Sequence, residues 1–157
     1  MIDQIYTYFT IEMIFMWLNL GVLPFWLVLI IFPQSQICKV FITSIFPILI
    51  LSLVYGYLIH LFFNEGYDFF TNFELYLGFS AVSILFTNKT FIILFWTHFL
   101  AINLFCGGWI VKDSQKLGIN KILISLPLLI TYFIGPIGLT IYWIIRIFYS
   151  KSINLYD

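Results

Sequence analysis

Residues 90–111 read TFIILFWTHFLAINLFCGGWIV and are closed by KDSQK at 112–116. The run contains no Lys, Arg, Asp or Glu. A helix of about 20 such residues is what crosses the hydrocarbon core of a bilayer. The stretch is not uniformly apolar, because it carries Trp96, Thr97, His98, Asn103, Cys106 and Trp109, with Asp113 just past its end. At about 100° per residue, Trp96, Asn103 and Gly107 fall on one stripe. His98, Ile102, Phe105 and Trp109 form another, and Asp113 lies one turn beyond Trp109. Polar groups inside a span are costly, so each needs a partner or a purpose.

Three more apolar stretches flank this one. The first covers 11–32 and ends at PQSQ (33–36), the second covers 41–63 and stops at NEG (64–66), and the last covers 122–148. Between the second and third spans the chain is first acidic (Glu65, Asp68, Glu74) and then apolar for about twelve residues, which suits an interfacial or re-entrant helix. The expected fold is all-α: an integral membrane bundle of four transmembrane helices (11–32, 41–63, 90–111, 122–148) plus a short interfacial or re-entrant helix near 73–87. Short connectors predict a single domain over 1–157.

Composition agrees with this reading. The 157 residues are 62% hydrophobic and only 9% charged, where roughly 25% charged is usual for a soluble domain. Such a chain is neither disordered nor a secreted disulfide scaffold. Seven basic and seven acidic residues cancel, so no nucleic-acid partner is expected and the bilayer is the expected surrounding. Four crossings would put Lys89, Arg146 and Lys151 on the side of the N-terminus, and Lys39, Lys112, Lys116 and Lys121 on the other. That balance leans towards a non-cytoplasmic N-terminus. Asp3 and Glu12 precede any Lys or Arg, unlike the basic start of a cleavable signal peptide.

Few residues are available for chemistry. Cys38 and Cys106 are too far apart in sequence to read as a metal-ligand pair, and no metal or cofactor is expected. Pro24 and Pro136 fall inside spans, where proline removes a donor and bends the helix. Pro47 and Pro127 lie early in theirs. The sharpest break is the GPIG run at 135–138, where Pro136 frees the carbonyl of Tyr132 and the glycines allow another helix close. That kink reads equally as packing or as the wall of a cavity. His98 suits a proton donor or acceptor, and equally a neutral imidazole bonded to a carbonyl or to Tyr55, Tyr57 or Tyr132. His60 near a helix end reads as interfacial, and Arg146 and Lys151 as snorkelling anchors. A non-enzymatic membrane subunit or assembly factor fits these features as well as an enzyme does.

The WTHFLAINLF run at 96–105, followed by Gly107, Trp109, Ile110 and Asp113, resembles the signature of the abscisic-acid-deficient-4-like family, formerly a domain of unknown function. The family pattern reads Trp-x-His-x-Leu-Ala-x-Asp-Leu-Phe-x-Gly-x-Trp. SLPL at 125–128, Phe133, Gly135, Pro136, Gly138 and Leu139 are similar to its last helix. Asn19, LPFW at 23–26 and Pro33 are similar to its opening motif. Plant members are plastid membrane proteins needed to convert violaxanthin to neoxanthin, and many other members are bacterial. The resemblance implies a carotenoid or other isoprenoid ligand, a bacterial plasma membrane or a plastid membrane, and a cofactor-independent isomerase. On this resemblance His98 is the acid–base candidate and Asp113 its partner. Trp96, Asn103, Trp109, Tyr132, Gly135 and Pro136 are the candidate ligand-binding residues. Asn103 stands where the family usually has aspartate; an amide offers hydrogen bonds and no exchangeable acid proton.

Overall fold

The computed structural model describes residues 9–68 and 78–154. Among them the chain is helical, with no strand: α1 (Ile11–Ile31), α2 (Phe46–Asn64), α3 (Phe79–Leu85), α4 (Lys89–Lys116), α5 (Lys121–Phe133) and α6 (Gly135–Ser150). One π-helical turn, Cys38–Ile42, lies in the α1–α2 connector. Among the described residues three helices are long and apolar enough to cross a membrane: α1 with 21 residues, α2 with 19 and α4 with 28. At about 1.5 Å per residue each reaches the roughly 30 Å of a hydrocarbon core. Their outward side chains are apolar too, Trp17, Leu27, Leu53 and Phe105 among them. In water such a surface would aggregate; against lipid it is the matching solvent. The chain is an integral membrane protein.

The short helix foreseen near 73–87 is present as α3, with none of its side chains buried; 73–77 lie outside the described residues. The fourth apolar stretch keeps its place and its helical character, and it is divided. Ile134 leaves the helical region at φ −142°, ψ 79°. Pro136 lacks the N–H that a continuous helix needs there, and it starts a new helix well from its first turn.

By contacts the described residues group into two compact units, 9–20 with 50–68 and 78–99, and 21–49 with 100–154. In the first unit, Glu65 closes the entry to α4. Its Oε1 accepts from the Thr90 hydroxyl at 2.5 Å and its Oε2 from Asn88 Nδ2 at 3.0 Å. Asn88 Oδ1 in turn accepts from the Phe91 amide at 2.9 Å. This is an N-cap, which satisfies a donor the first helical turn would leave open. Phe62 stacks on Tyr67 at 4.2 Å and meets Phe91, while Phe86 packs edge-on against Phe91 and Phe95.

In the second unit, α4, α5 and α6 form a folded-back trio. A turn through Gly118, at φ +65°, leads into α5, capped by Asn120 Oδ1 accepting from the Ile122 amide. At Ile134 the chain reverses. Gly138 packs so tightly on the Thr131 backbone that any Cβ there would collide with it. Contacts with α4 then rise together along both helices: Asn103 meets Gly135, Trp109 meets Tyr142, and Asp113 meets Arg146. α6 therefore runs in the same direction as α4, and its end returns to the end of α4. With 13 and 16 residues, α5 and α6 each extend only about 20–24 Å. The 121–150 segment is a helical hairpin whose tip lies level with Asn103. Arg146, expected at the N-terminal side, sits at the Asp113 end instead.

Candidate functional site

The second unit carries two buried polar clusters along α4. The lower one begins with Asp113, 9% exposed, and Arg146, 1% exposed. Asp113 Oδ2 accepts from Arg146 Nε at 2.8 Å and from the Tyr142 hydroxyl at 2.6 Å. Arg146 Nη1 donates to the Asn154 carbonyl at 2.7 Å, and its guanidinium lies 5.2 Å from the Trp143 ring centre. Trp109 closes the cluster, edge-on to Tyr142 and stacked on Trp143. Tyr142 and Arg146 are one turn apart on α6, so a single helix face supplies both donors. A guanidinium with its hydrogen bonds satisfied on several sides is stable where a snorkelling side chain was expected. Removing one partner would strand a buried charge.

The upper cluster sits at the hairpin tip. Asn103, 4% exposed, points its carboxamide oxygen at Gly135, where no Cβ could fit. One turn along α4, Gly107 accommodates the six-membered ring of Trp26; a Cβ there would lie 2.8 Å from Trp26 Cη2. Tyr132 packs edge-on against Trp26 at 5.4 Å. Two donors in this cluster, Trp26 Nε1 and Asn103 Nδ2, are buried and have no acceptor among the described residues. Buried donors are nearly always paired, and an unpaired one costs about 1–3 kcal/mol. Pro136 stands next to Gly135 with its side chain exposed.

These residues are spread through a length of chain that also defines a family. The family model described as ABA DEFICIENT 4-like matches residues 13–142. The chain belongs to that family. No curated protein and no solved structure matches the chain. Of the residues that shape the two clusters, Trp26, Asn103, Gly107, Trp109, Asp113, Tyr132, Gly135 and Tyr142 fall inside the ABA DEFICIENT 4-like match, and Arg146 lies just beyond it.

The ABA DEFICIENT 4-like signature also includes Trp96 and His98, which belong to the first unit. Trp96 Nε1 donates to Asn19 Oδ1 at 3.2 Å, and Asn19 Nδ2 donates to the Phe15 carbonyl at 2.7 Å. Two signature residues far apart in sequence are thus one hydrogen-bonded pair. His98 is exposed, with its ring 6.3 Å from that of Tyr55. His98 and Asp113 are not brought together. They are fifteen residues apart on α4, about 22 Å along its axis.

Sequence reasoning missed Arg146 and Tyr142 as parts of a site, and gave Trp26 no role beyond a motif. A signal existed for the pair: Arg146 is the one charge within 122–148, and Tyr142 precedes it by one turn. Among the described residues no three His, Cys, Asp or Glu side chains gather as a metal site would require. Cys38, in the connector, is fully buried, and that burial pushes its thiol up to about 11. A thiol that stays protonated at neutral pH is a poor nucleophile.

Proposed function

We propose that the second unit binds the oxygenated end of a carotenoid or related isoprenoid, in a bacterial plasma membrane. The observation that carries this reading is the pair of buried donors, Trp26 Nε1 and Asn103 Nδ2, which have no acceptor among the described residues. A hydrocarbon could not satisfy them. An epoxide, hydroxyl or keto oxygen could, recovering part of the cost of burying them. Tyr132, Trp26 and Trp109 supply aromatic surface for an unsaturated chain. Family membership supports the ligand class, since the plant members act in neoxanthin formation.

The catalytic form of the reading is an isomerisation of a xanthophyll epoxide. The epoxide C–O bond opens, its oxygen takes a proton to become a tertiary alcohol, and a proton leaves the neighbouring polyene carbon to give an allene. That needs an acid at the oxygen and a base at the carbon. Asn103 supplies neither, so acid–base duty would fall to Asp113 or His98. The substitution at position 103 therefore favours retention of ligand over its turnover.

Expression in a carotenoid-producing host and purification in mild detergent test both forms. Xanthophylls co-purifying in preference to hydrocarbon carotenes is the expected result. Trp26→Phe, which keeps the ring and removes the N–H, should lower that retention severalfold. Equal recovery of β-carotene and violaxanthin would sink the binding proposal. Neoxanthin appearing in a violaxanthin-producing host would establish the catalytic form.

A further inference from the structure

We infer that the second unit holds an anionic phospholipid, its headgroup at Lys112 and an acyl chain in the cavity beside α4. Zero net charge conceals an uneven distribution. Lys39, Lys112, Lys116, Lys121, Arg146 and Lys151 all belong to the second unit, six of the seven basic residues of the chain. Among the described residues of that unit the sole acid is Asp113, which is turned inward and already held by Arg146 and Tyr142. Lys39, Lys112, Lys116 and Lys121 are exposed, and none makes an ion pair with another described residue. Gln115 Nε2 donates to the Pro33 carbonyl at 2.7 Å, which ties the Lys39 connector to the same end of α4. The hairpin brings Arg146, and with it Lys151, back to that end. A straight fourth span would have carried both away.

A cavity of about 400 Å³ opens beside this end. Its wall is apolar along Leu104, Phe105, Ile45 and Ile48, and it finishes in Lys112 with the hydroxyls of Thr43 and Ser44. The Thr43 and Ser44 protons are already donated to the Lys39 and Phe41 carbonyls. Lys112 is therefore the free donor and the free charge in this lining. An apolar cleft ending in an unneutralised ammonium matches an acyl chain ending in an anionic phosphate diester. A zwitterionic headgroup would bring its own cation into the same positive field. The concentration of Lys and Arg at this end also marks it as the cytoplasmic side, where bacterial and eukaryotic anionic lipids meet juxtamembrane lysines.

Gly108 lines the cavity, and a side chain added there meets nothing within 4 Å. It can therefore be used to fill the cleft without disturbing the packing. Native mass spectrometry of the purified protein, with added phosphatidylglycerol or phosphatidylcholine, tests the proposal. Phosphatidylglycerol should bind about fivefold more tightly, the effect of one lysine near an anionic lipid. Lys112→Gln should abolish that preference and Lys112→Arg should keep it. Gly108→Leu should weaken both lipids, and Lys89→Gln, in the first unit, should change neither. Equal binding of the two lipids by the unaltered protein would overturn the inference. So would undiminished binding of phosphatidylglycerol by Gly108→Leu, which would assign the site to the basic face without the cavity.

Discussion

Glu65 in the first unit and Asp113 in the second each accept two side-chain hydrogen bonds, and the two are opposites in cost. Glu65 is exposed and takes its bonds from Asn88 and Thr90, neutral groups at the mouth of α4. Asp113 is buried and takes them from Tyr142 and a guanidinium on the returning helix. Water or headgroups could replace the partners of Glu65. Nothing but α6 could replace those of Asp113. The first arrangement ends a helix, and the second fixes where a helical hairpin comes to rest. In lipid, where apolar contact between helices gains little over contact with acyl chains, a buried polar match of this kind is what selects one packing over another.

The largest expected effect is on that match. Arg146→Ala should destabilise the protein by about 3–5 kcal/mol, because Asp113 is left charged and buried. The double change Asp113→Leu with Arg146→Met should recover much of the loss. Thermal unfolding in detergent measures both, and a double variant as unstable as the single one would show that the hairpin does not depend on charge compensation. Next comes the tip. Gly138→Ala forces a Cβ into the Thr131 backbone and should cost about 1–3 kcal/mol; Gly21→Ala, with open space around it, serves as the unaffected comparison. An unaltered melting temperature for Gly138→Ala would show that the close contact of Gly138 with the Thr131 backbone does not hold α5 against α6.

The effects expected in the first unit are smaller. Glu65→Ala removes a cap interaction that also serves buried Thr90, and should cost about 1 kcal/mol. A loss as large as that for Arg146→Ala would erase the contrast between the two carboxylates. Smallest of all is the Lys89–Glu12 pair, at 3.6 Å with both side chains more than 70% exposed. Exposed pairs contribute about 0–1 kcal/mol, so Lys89→Ala should leave the melting curve within error. A loss of stability in that variant that persists at high salt would show the pair to be shielded in the bilayer interface.

Much of this was legible in the chain itself. The three spanning helices follow from runs of apolar residues matched to bilayer thickness, and α1 and α4 begin within a residue of where those runs begin. The later start of α2 was not foreseen. Ser44, Ser35 and Thr43 offer local hydrogen bonds to the connector backbone, and such bonds compete with helix. α4 outlasts its apolar run by five residues because its last turns face protein: Ser114 and Asp113 are buried although polar. Family membership, too, was readable from the Trp96–Asp113 signature and the GPIG run, since local motifs survive without knowledge of contacts.

What the sequence determined alone, then, is a membrane-embedded all-helical chain, its spans, its family and the position of the break at 134–136. Hydrophobic length and proline chemistry are properties of neighbouring residues, and those are visible in a string. Only the tertiary structure decided that the break is a reversal, that Arg146 is a buried partner of Asp113, that Asn19 answers Trp96, and that Trp26 and Asn103 are donors in want of an acceptor. A proline and two glycines permit a bend without fixing its angle. The angle is set by whether a carboxylate on one helix can find a guanidinium on another, and that depends on the distance between side chains 33 residues apart.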